Sequence, residues 1–252
     1  MTGIHQLGRF SAHRVAADDG DELRFCSTCV FGRVCLPKEV DKSALVELHC
    51  LVDHVGPFQA GDHIFRAGDR FNSIYAVRRG MIKTRLHDES GREQVLGFHL
   101  AGEMIGLNAI HPAKYPCDAI ALDEAEVCRF SFPALATLAL RMPGVQRELF
   151  NLLSKDIGNA IAFAGDYSAD ERLAAFLIGL SRRFSERGFP ADTLHLAMSR
   201  GDIANYLRLA AETVSRVLRR FQDHGLIAVD GRDVSISKPA DLFAIAKPVL
   251  QR

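Results

Sequence analysis

Three cysteines stand close together early in the chain, Cys26-Ser27-Thr28-Cys29 and then Cys35, spaced C-x2-C-x5-C. Thiols at that spacing can face one point in space. Thiolates are the ligands that soft metals and iron–sulfur clusters prefer. A zinc site, or thiols that switch redox state, would draw on the same side chains. Three more cysteines, Cys50, Cys117 and Cys128, lie apart from one another. Lone cysteines are commonly small buried hydrophobes. His49, His54 and His63 offer imidazoles, but their spacing matches no zinc pattern, and surface or core positions suit them better.

A second set of residues near the other end suits DNA reading. Ser199-Arg200-Gly201-Asp202 starts a helix with a cap, and Ile203, Ala204 and Leu207 give it an apolar side. A short turn follows, Arg208-Leu209-Ala210, and a second helix runs from Ala211 to Phe221. Its apolar face is Val214, Val217, Leu218 and Phe221; the opposite face carries Glu212, Ser215, Arg216 and Arg219, with Thr213 beside them. A helix of this kind fits the major groove with its N-terminal residues at the base edges. Arg216 could fork onto guanine and Glu212 could accept from cytosine. Arg200, Arg219 and Arg220 suit phosphates, which position rather than specify. Gly225-Leu226-Ile227-Ala228-Val229, Gly231 and Val234-Ser235-Ile236 read as a hairpin, the wing of a winged helix. An ordinary surface helix pair is the plainer alternative. The cap, turn, amphipathic helix and hairpin in that order favour the reader.

Between these ends the chain must supply the elements that hold them. Residues 1–40 form a polar segment with the cysteine cluster embedded, and a short helix is expected at 41–49. From there to 132, glycines punctuate short strands, among them Ile74–Val77, Met81–Thr84 and Gln94–Leu100. Regular short strands with turn signals indicate an antiparallel barrel or roll. From about 133 the period changes. Val145, Leu149, Leu152, Leu153, Ile157 and Ile161 form one stripe on a long helix that follows Pro143. The stripe is either buried internally or paired with its own copy; a palindrome reader favours the copy, a homodimer. The expected division is 1–40, a roll at 41–132, a dimerisation helix at 133–167, and a winged helix-turn-helix at 168–252. Ser168-Ala169-Asp170-Glu171 caps the first helix of the last part.

Composition excludes several classes. The 252 residues carry no net charge, so affinity for nucleic acid needs a local basic surface. Residues 169–220 hold nine Arg and no Lys against six acids, about +3. No stretch reads as a membrane span or a signal peptide, so a cytoplasmic protein is expected, with thiols rather than disulfides. No Gly-rich phosphate loop, nucleophile elbow or catalytic carboxylate pair supports an enzyme. Asp18-Asp19 and Asp123-Glu124 read as exposed turns.

Four stretches give these parts a family likeness: Phe98-His99-Leu100-Ala101-Gly102-Glu103, Glu171-Arg172-Leu173-Ala174-Ala175-Phe176, Leu180-Ser181-Arg182-Arg183-Phe184 and Glu212-Thr213-Val214-Ser215-Arg216. From about Cys26 to about Ile236 the chain resembles the CRP/FNR family of bacterial regulators, and within it the oxygen-sensing FNR branch. The resemblance implies an α+β fold: a cyclic-nucleotide-binding-like antiparallel β-roll, a long dimerisation helix and a C-terminal winged helix-turn-helix. It implies a [4Fe–4S] cluster on Cys26, Cys29, Cys35 and one cysteine of the roll. Cys128 matches that fourth position by context and by distance from Phe98-His99-Leu100; Cys117 and Cys50 are the alternatives. It implies that oxygen destroys the cluster and weakens the dimer. It also implies a Glu212-x-x-Ser215-Arg216 reader of palindromic double-stranded DNA of the TTGAT-N4-ATCAA type. The family's other partner is RNA polymerase, which activators touch; loops 87–92 and 111–116 are either such contacts or plain solvated loops.

Two departures matter. Nucleotide-binding members use a Gly-Glu pair and an Arg, where this chain reads Ile105-Gly106-Leu107 and Tyr115-Pro116-Cys117. A buried phosphate would lack its counter-charge, so no cyclic nucleotide is expected. Between Met142-Pro143 and Ala169-Asp170-Glu171-Arg172 the chain is also about three residues shorter than the family pattern, nearly one helical turn. The family's acid that opposes dimerisation has no clear counterpart there; Asp156 is the only acid in mid-helix. The dimer would then depend less on the cluster.

Overall fold

The computed structural model describes residues 52–88, 90–162 and 165–250. Cys26, Cys29, Cys35, Cys50 and the helix expected at 41–49 lie outside the described residues.

Eight strands form the roll. One sheet has the order β1 (Val52–Phe58), β8 (Ala125–Ser131), β3 (Ser73–Arg79), β6 (Met104–Ile105). The other has the order β2 (His63–Phe65), β7 (Asp118–Ala121), β4 (Met81–His87), β5 (Glu93–Leu100). All pairings in both are antiparallel. Alternation along β3 explains why this strand is apolar on both sides. Val77 points into the roll, with Phe65, Ile82, Tyr115 and Val127. Ile74 and Ala76 point out, into a second core with Phe130, Leu135, Leu138 and Val145.

The strands run longer than their apolar cores suggest. β3 continues through Arg79, and Gly80 alone turns the chain into β4 with φ 78°. A Cβ there would collide with the Glu124 carbonyl oxygen, so only glycine fits. Asp123, expected as a bare exposed turn, fixes this corner of the roll, because its Oδ1 accepts the Met81 N–H at 2.7 Å.

Two helices follow the roll, α1 (Phe132–Arg141) and α2 (Pro143–Ala162). Met142 between them is extended, and Pro143 opens α2 as its fixed φ favours. The apolar stripe of α2 is divided between two uses. Val145 is buried, and Leu149, Leu152 and Leu153 pack against the outer core of the roll. Ile157 is 62% exposed, as is Phe150 one heptad earlier, and Leu140 at the end of α1 is 84% exposed.

The last part begins with α3 (Ala169–Ser185), which carries the expected capping box between Ser168 and Glu171. Strand β9 (Thr193–His195) follows, then α4 (Arg200–Leu207), α5 (Ala211–Asp223), β10 (Ile227–Asp230), β11 (Asp233–Ile236) and α6 (Pro239–Leu250). The sheet order is β10-β11-β9, so the wing has a third strand that its short sequence concealed. α6 packs on α3 through Leu242, Ala246 and Val249, which share its core. That core does not stop at the domain edge: Met81, Val95, Phe98 and Leu100 of the β4–β5 hairpin belong to it.

Candidate nucleic-acid interface and cysteine centre

The helix pair α4–α5 is positioned from within. Ser199 accepts the Asp202 N–H at 3.0 Å, and Asp202 accepts the Ser199 N–H at 3.1 Å, which fixes where α4 begins. On α5, Val214, Val217, Leu218 and Phe221 are all buried. Burial of this face turns Glu212, Ser215, Arg216 and Arg219 outward to solvent, with Thr213 at the margin.

The outward groups are prepared to different degrees. Arg216 Nη1 stands 4.0 Å from Glu212 Oε1, and its Nη2 lies 3.5 Å from Thr213 Oγ1. These are loose contacts that a base edge can replace. Ser215 donates to the Ala211 carbonyl at 3.0 Å, which leaves oxygen lone pairs outward. Arg219 is exposed. Arg220 is committed elsewhere: it pairs with Asp170 at the start of α3. Arg200 is half-buried, and its Nη2 donates to Gly231 O at 3.1 Å. Its side chain thus ties α4 to the tip of the wing. His195 and Asp233, opposite each other on β9 and β11, pair at 2.7 Å beside the turn of the wing.

The two roll cysteines have different surroundings. Cys117 is 1% exposed, inside the roll, with Asn108 Nδ2 at 3.5 Å from its sulfur. Burial pushes its thiol pKa up, against the thiolate form that a metal needs. Cys128 is half-buried on β8, level with His54 of β1 and Ala76 of β3. Its side chain belongs to the outer face of the roll. β1 is the strand through which residues 1–51 join the roll, and Val52 pairs with Phe130, two residues from Cys128. Of the two, Cys128 is the thiol on the outer face, and Cys117 is the one enclosed by the roll. Among the described residues no three His, Cys, Asp or Glu side chains converge on a metal position.

Inside the roll, aromatic side chains pack against one another. Tyr115 stacks on Phe65 with ring centroids 4.0 Å apart, and Phe71 meets it edge-on at 5.7 Å. Its hydroxyl donates to Ser73 O at 2.6 Å. Burial pushes the Tyr115 hydroxyl up, well above its ordinary value.

One set of residues was not legible as a site: the seam between roll and reader. Asn205 of α4 donates to Glu93 O and accepts from the Val95 N–H, both at 2.7 Å, so its amide completes the open edge of β5. Lys83 of β4 bonds Asp202 at 2.5 Å and Glu93 at 3.3 Å. Glu103, in the turn before β6, holds Arg183 of α3 and Arg187 just past its end. Phe98, Phe176 and Tyr206 form an aromatic triangle with centroids 5.3 to 6.0 Å apart. The one available signal was that Phe98–Glu103 and Leu180–Phe184 stood out together in the sequence.

Comparison with known proteins agrees with this architecture. Residues 55–141 match the cyclic nucleotide-binding domain family, and residues 171–245 match the Crp-like helix-turn-helix domain family. The chain is 42% identical over 224 residues to the transcriptional activator protein Anr of Pseudomonas protegens, covering 88% of this chain and 92% of that one. It is 40% identical to the fumarate and nitrate reduction regulatory protein of Salmonella typhi, covering 88% and 90%. Among solved structures it is similar to FixK2 from Bradyrhizobium japonicum, with a TM-score of 0.69 and 26% identity over 77% of this chain and 96% of that one.

Proposed function

Because the chain belongs to the CRP/FNR family of transcription regulators, we propose that it is an oxygen-responsive member that carries a [4Fe–4S] cluster and binds palindromic DNA as a homodimer. Cys26, Cys29, Cys35 and Cys128 would hold the cluster. When bound, the cluster supplies an oxygen-labile cross-link between the N-terminal segment and the roll. The observation that carries this reading is the pairing of β1 with β8. Val52, which follows the C-x2-C-x5-C stretch in sequence, pairs with Phe130, two residues from Cys128, and the Cys128 side chain is half-buried where that of Cys117 is buried.

The protein's own residues do the rest. Phe150 and Ile157 present apolar surface along α2, the face for a second copy, which covers it without disturbing the half of the stripe that grips the roll. Two copies of α5 then meet two half-sites one helical turn apart. Arg216 forks onto guanine, Glu212 accepts from cytosine, Thr213 and Ser215 add hydroxyl contacts, and Arg219 meets phosphate. The seam at Glu103, Lys83 and Asn205 holds each reader at a defined angle to its roll, so a change at the roll is passed to the DNA head. No cyclic nucleotide takes part, since Tyr115 and Phe65 fill the roll's interior and the acid and arginine of nucleotide binders are missing. RNA polymerase enters as a partner on family membership alone.

The test is purification without oxygen, followed by a visible spectrum, iron and sulfide analysis, and admission of air. A broad brown absorbance near four irons per chain that bleaches in air is the expected result, with affinity for a TTGAT palindrome compared before and after. A colourless protein would move the cysteines to zinc or thiol-switch chemistry and leave the DNA-reading half standing.

A further inference from the structure

The turn that joins α4 to α5 is made by an unusual residue. Arg208 caps α4 with φ 55° and ψ 46°, the left-handed region. Helix-turn-helix turns often place glycine where the backbone must do this, because a side chain there crowds the following carbonyl. The capping itself is done by the backbone: the Arg208 N–H donates to the Asn205 carbonyl at 3.1 Å. Glycine would do the same at lower cost. The side chain therefore needs a separate reason.

Within the described fold it has none. Arg208 is exposed, and among the described residues its guanidinium forms no hydrogen bond or ion pair. The arginines around it are engaged: Arg200 with the wing, Arg220 with Asp170, Arg183 and Arg187 with Glu103. Arg208 stands three residues before Ala211, where α5 begins. It is thus an exposed cation at the end of α5 that enters the groove.

We propose that Arg208 contacts a backbone phosphate of the bound duplex beside the entry point of α5, and that DNA affinity offsets the cost of a left-handed arginine. This rests on the DNA-reading function proposed above. Arginine's planar fork suits phosphate oxygens, and such a contact sets the helix's register without reading bases.

The test uses the anaerobically purified full chain with a TTGAT palindrome and a scrambled duplex of equal length. Anisotropy titrations across salt concentrations are run for wild type, Arg208→Gly, Arg208→Asn and Arg208→Lys, alongside thermal unfolding. Arg208→Gly and Arg208→Asn should unfold at or above the wild-type Tm, since both residues accept the left-handed region. Both should bind each duplex about 10-fold more weakly at low salt, and the salt slope should fall by about 2 per dimer, one phosphate for each copy. Arg208→Lys should keep the slope. An Arg208→Gly protein with wild-type affinity and slope on both duplexes would overturn the inference and leave Arg208 a tolerated turn residue. A loss confined to the palindrome would also overturn it, by making the contact a base contact. Wild type that binds neither duplex would overturn the proposed function, and this inference with it.

Discussion

Arg183 grips both carboxylate oxygens of Glu103, eighty residues earlier in the chain, with Nε to Oε1 at 2.9 Å and Nη2 to Oε2 at 2.5 Å. Arg187 adds a third bond at 2.8 Å. The same two arginines donate to the carbonyls of Phe98 and Ala101. Roll and helix-turn-helix domain are therefore joined by a shielded ionic knot, with 14% of the Glu103 side chain exposed. Removing one partner of such a pair leaves the other charge uncompensated. Glu103→Gln should cost on the order of 3 kcal/mol and uncouple the two halves. Calorimetry should then show two transitions in place of one. A single transition at the wild-type midpoint would contradict this.

The seam also predicts acid sensitivity in two stages. His99, beside Thr84 Oγ1 at 3.1 Å, is pushed down to about 4, first by desolvation and then by Arg183, with Glu103 opposing. Its unfolded value is near 6.5. A histidine depressed on folding stabilises fully above the unfolded value, and that contribution is lost as pH falls from about 6.5 to about 4. Glu103 is held at about 2: burial raises it, but Arg183, then Arg187 and His99, outweigh burial. Its contribution is present above about 4.5 and is lost as pH falls toward about 2. Urea midpoints measured against pH should decline from about 6.5 downward in wild type. In His99→Gln the decline between about 6.5 and 4.5 should be shallower, with only His63, itself lowered by burial, contributing there.

DNA recognition separates into base and phosphate contacts. Arg216→Ala and Glu212→Ala should each cost about 1–3 kcal/mol of discrimination between a TTGAT palindrome and its single-base variants. Arg219→Ala should weaken binding to all duplexes alike and lower the salt slope by about 1 for each phosphate lost. Competition titrations distinguish the two patterns.

The two roll cysteines give opposite expectations. Cys128→Ser should abolish iron retention after anaerobic purification. Cys117→Ala should keep the iron and lose only a little stability, since this thiol is a small buried hydrophobe. Iron analysis of both variants settles the fourth ligand; iron retained by Cys128→Ser and lost by Cys117→Ala would reverse the assignment.

The exposed face of α2 concerns the dimer. Ile157→Asp places a charge where two copies would meet, and sedimentation should return a monomer. Cluster-free wild type should remain substantially dimeric. No acid other than Asp156 stands in the middle of α2, and the Asp156 carboxyl is itself raised by desolvation and by Glu103. A clean monomer for the cluster-free chain would reject that expectation.

The reader was legible in the sequence because its information is local. Ser199 and Asp202 cap a helix three residues apart, Val214, Val217, Leu218 and Phe221 repeat at helical spacing, and Gly231 marks the wing's turn. Glycine-punctuated short strands and a three- and four-residue period likewise announced the roll and α2. Three cysteines within ten residues raise the expectation of a soft-metal centre for the same reason: their spacing is written along one stretch of chain. What only the tertiary structure decided depends on residues far apart in sequence. The division of the α2 stripe between roll and solvent follows from how α2 lies on the outer core. The contrast between Cys117 and Cys128 follows from which face of the roll each one takes. The engagement of Arg200 and Arg220 depends on partners 31 and 50 residues away, Gly231 and Asp170. The seam of Lys83, Glu103, Arg183, Asp202 and Asn205 joins positions up to 119 residues apart. Local chemistry specifies which elements form; the packing of those elements specifies which charged groups are left free to meet DNA.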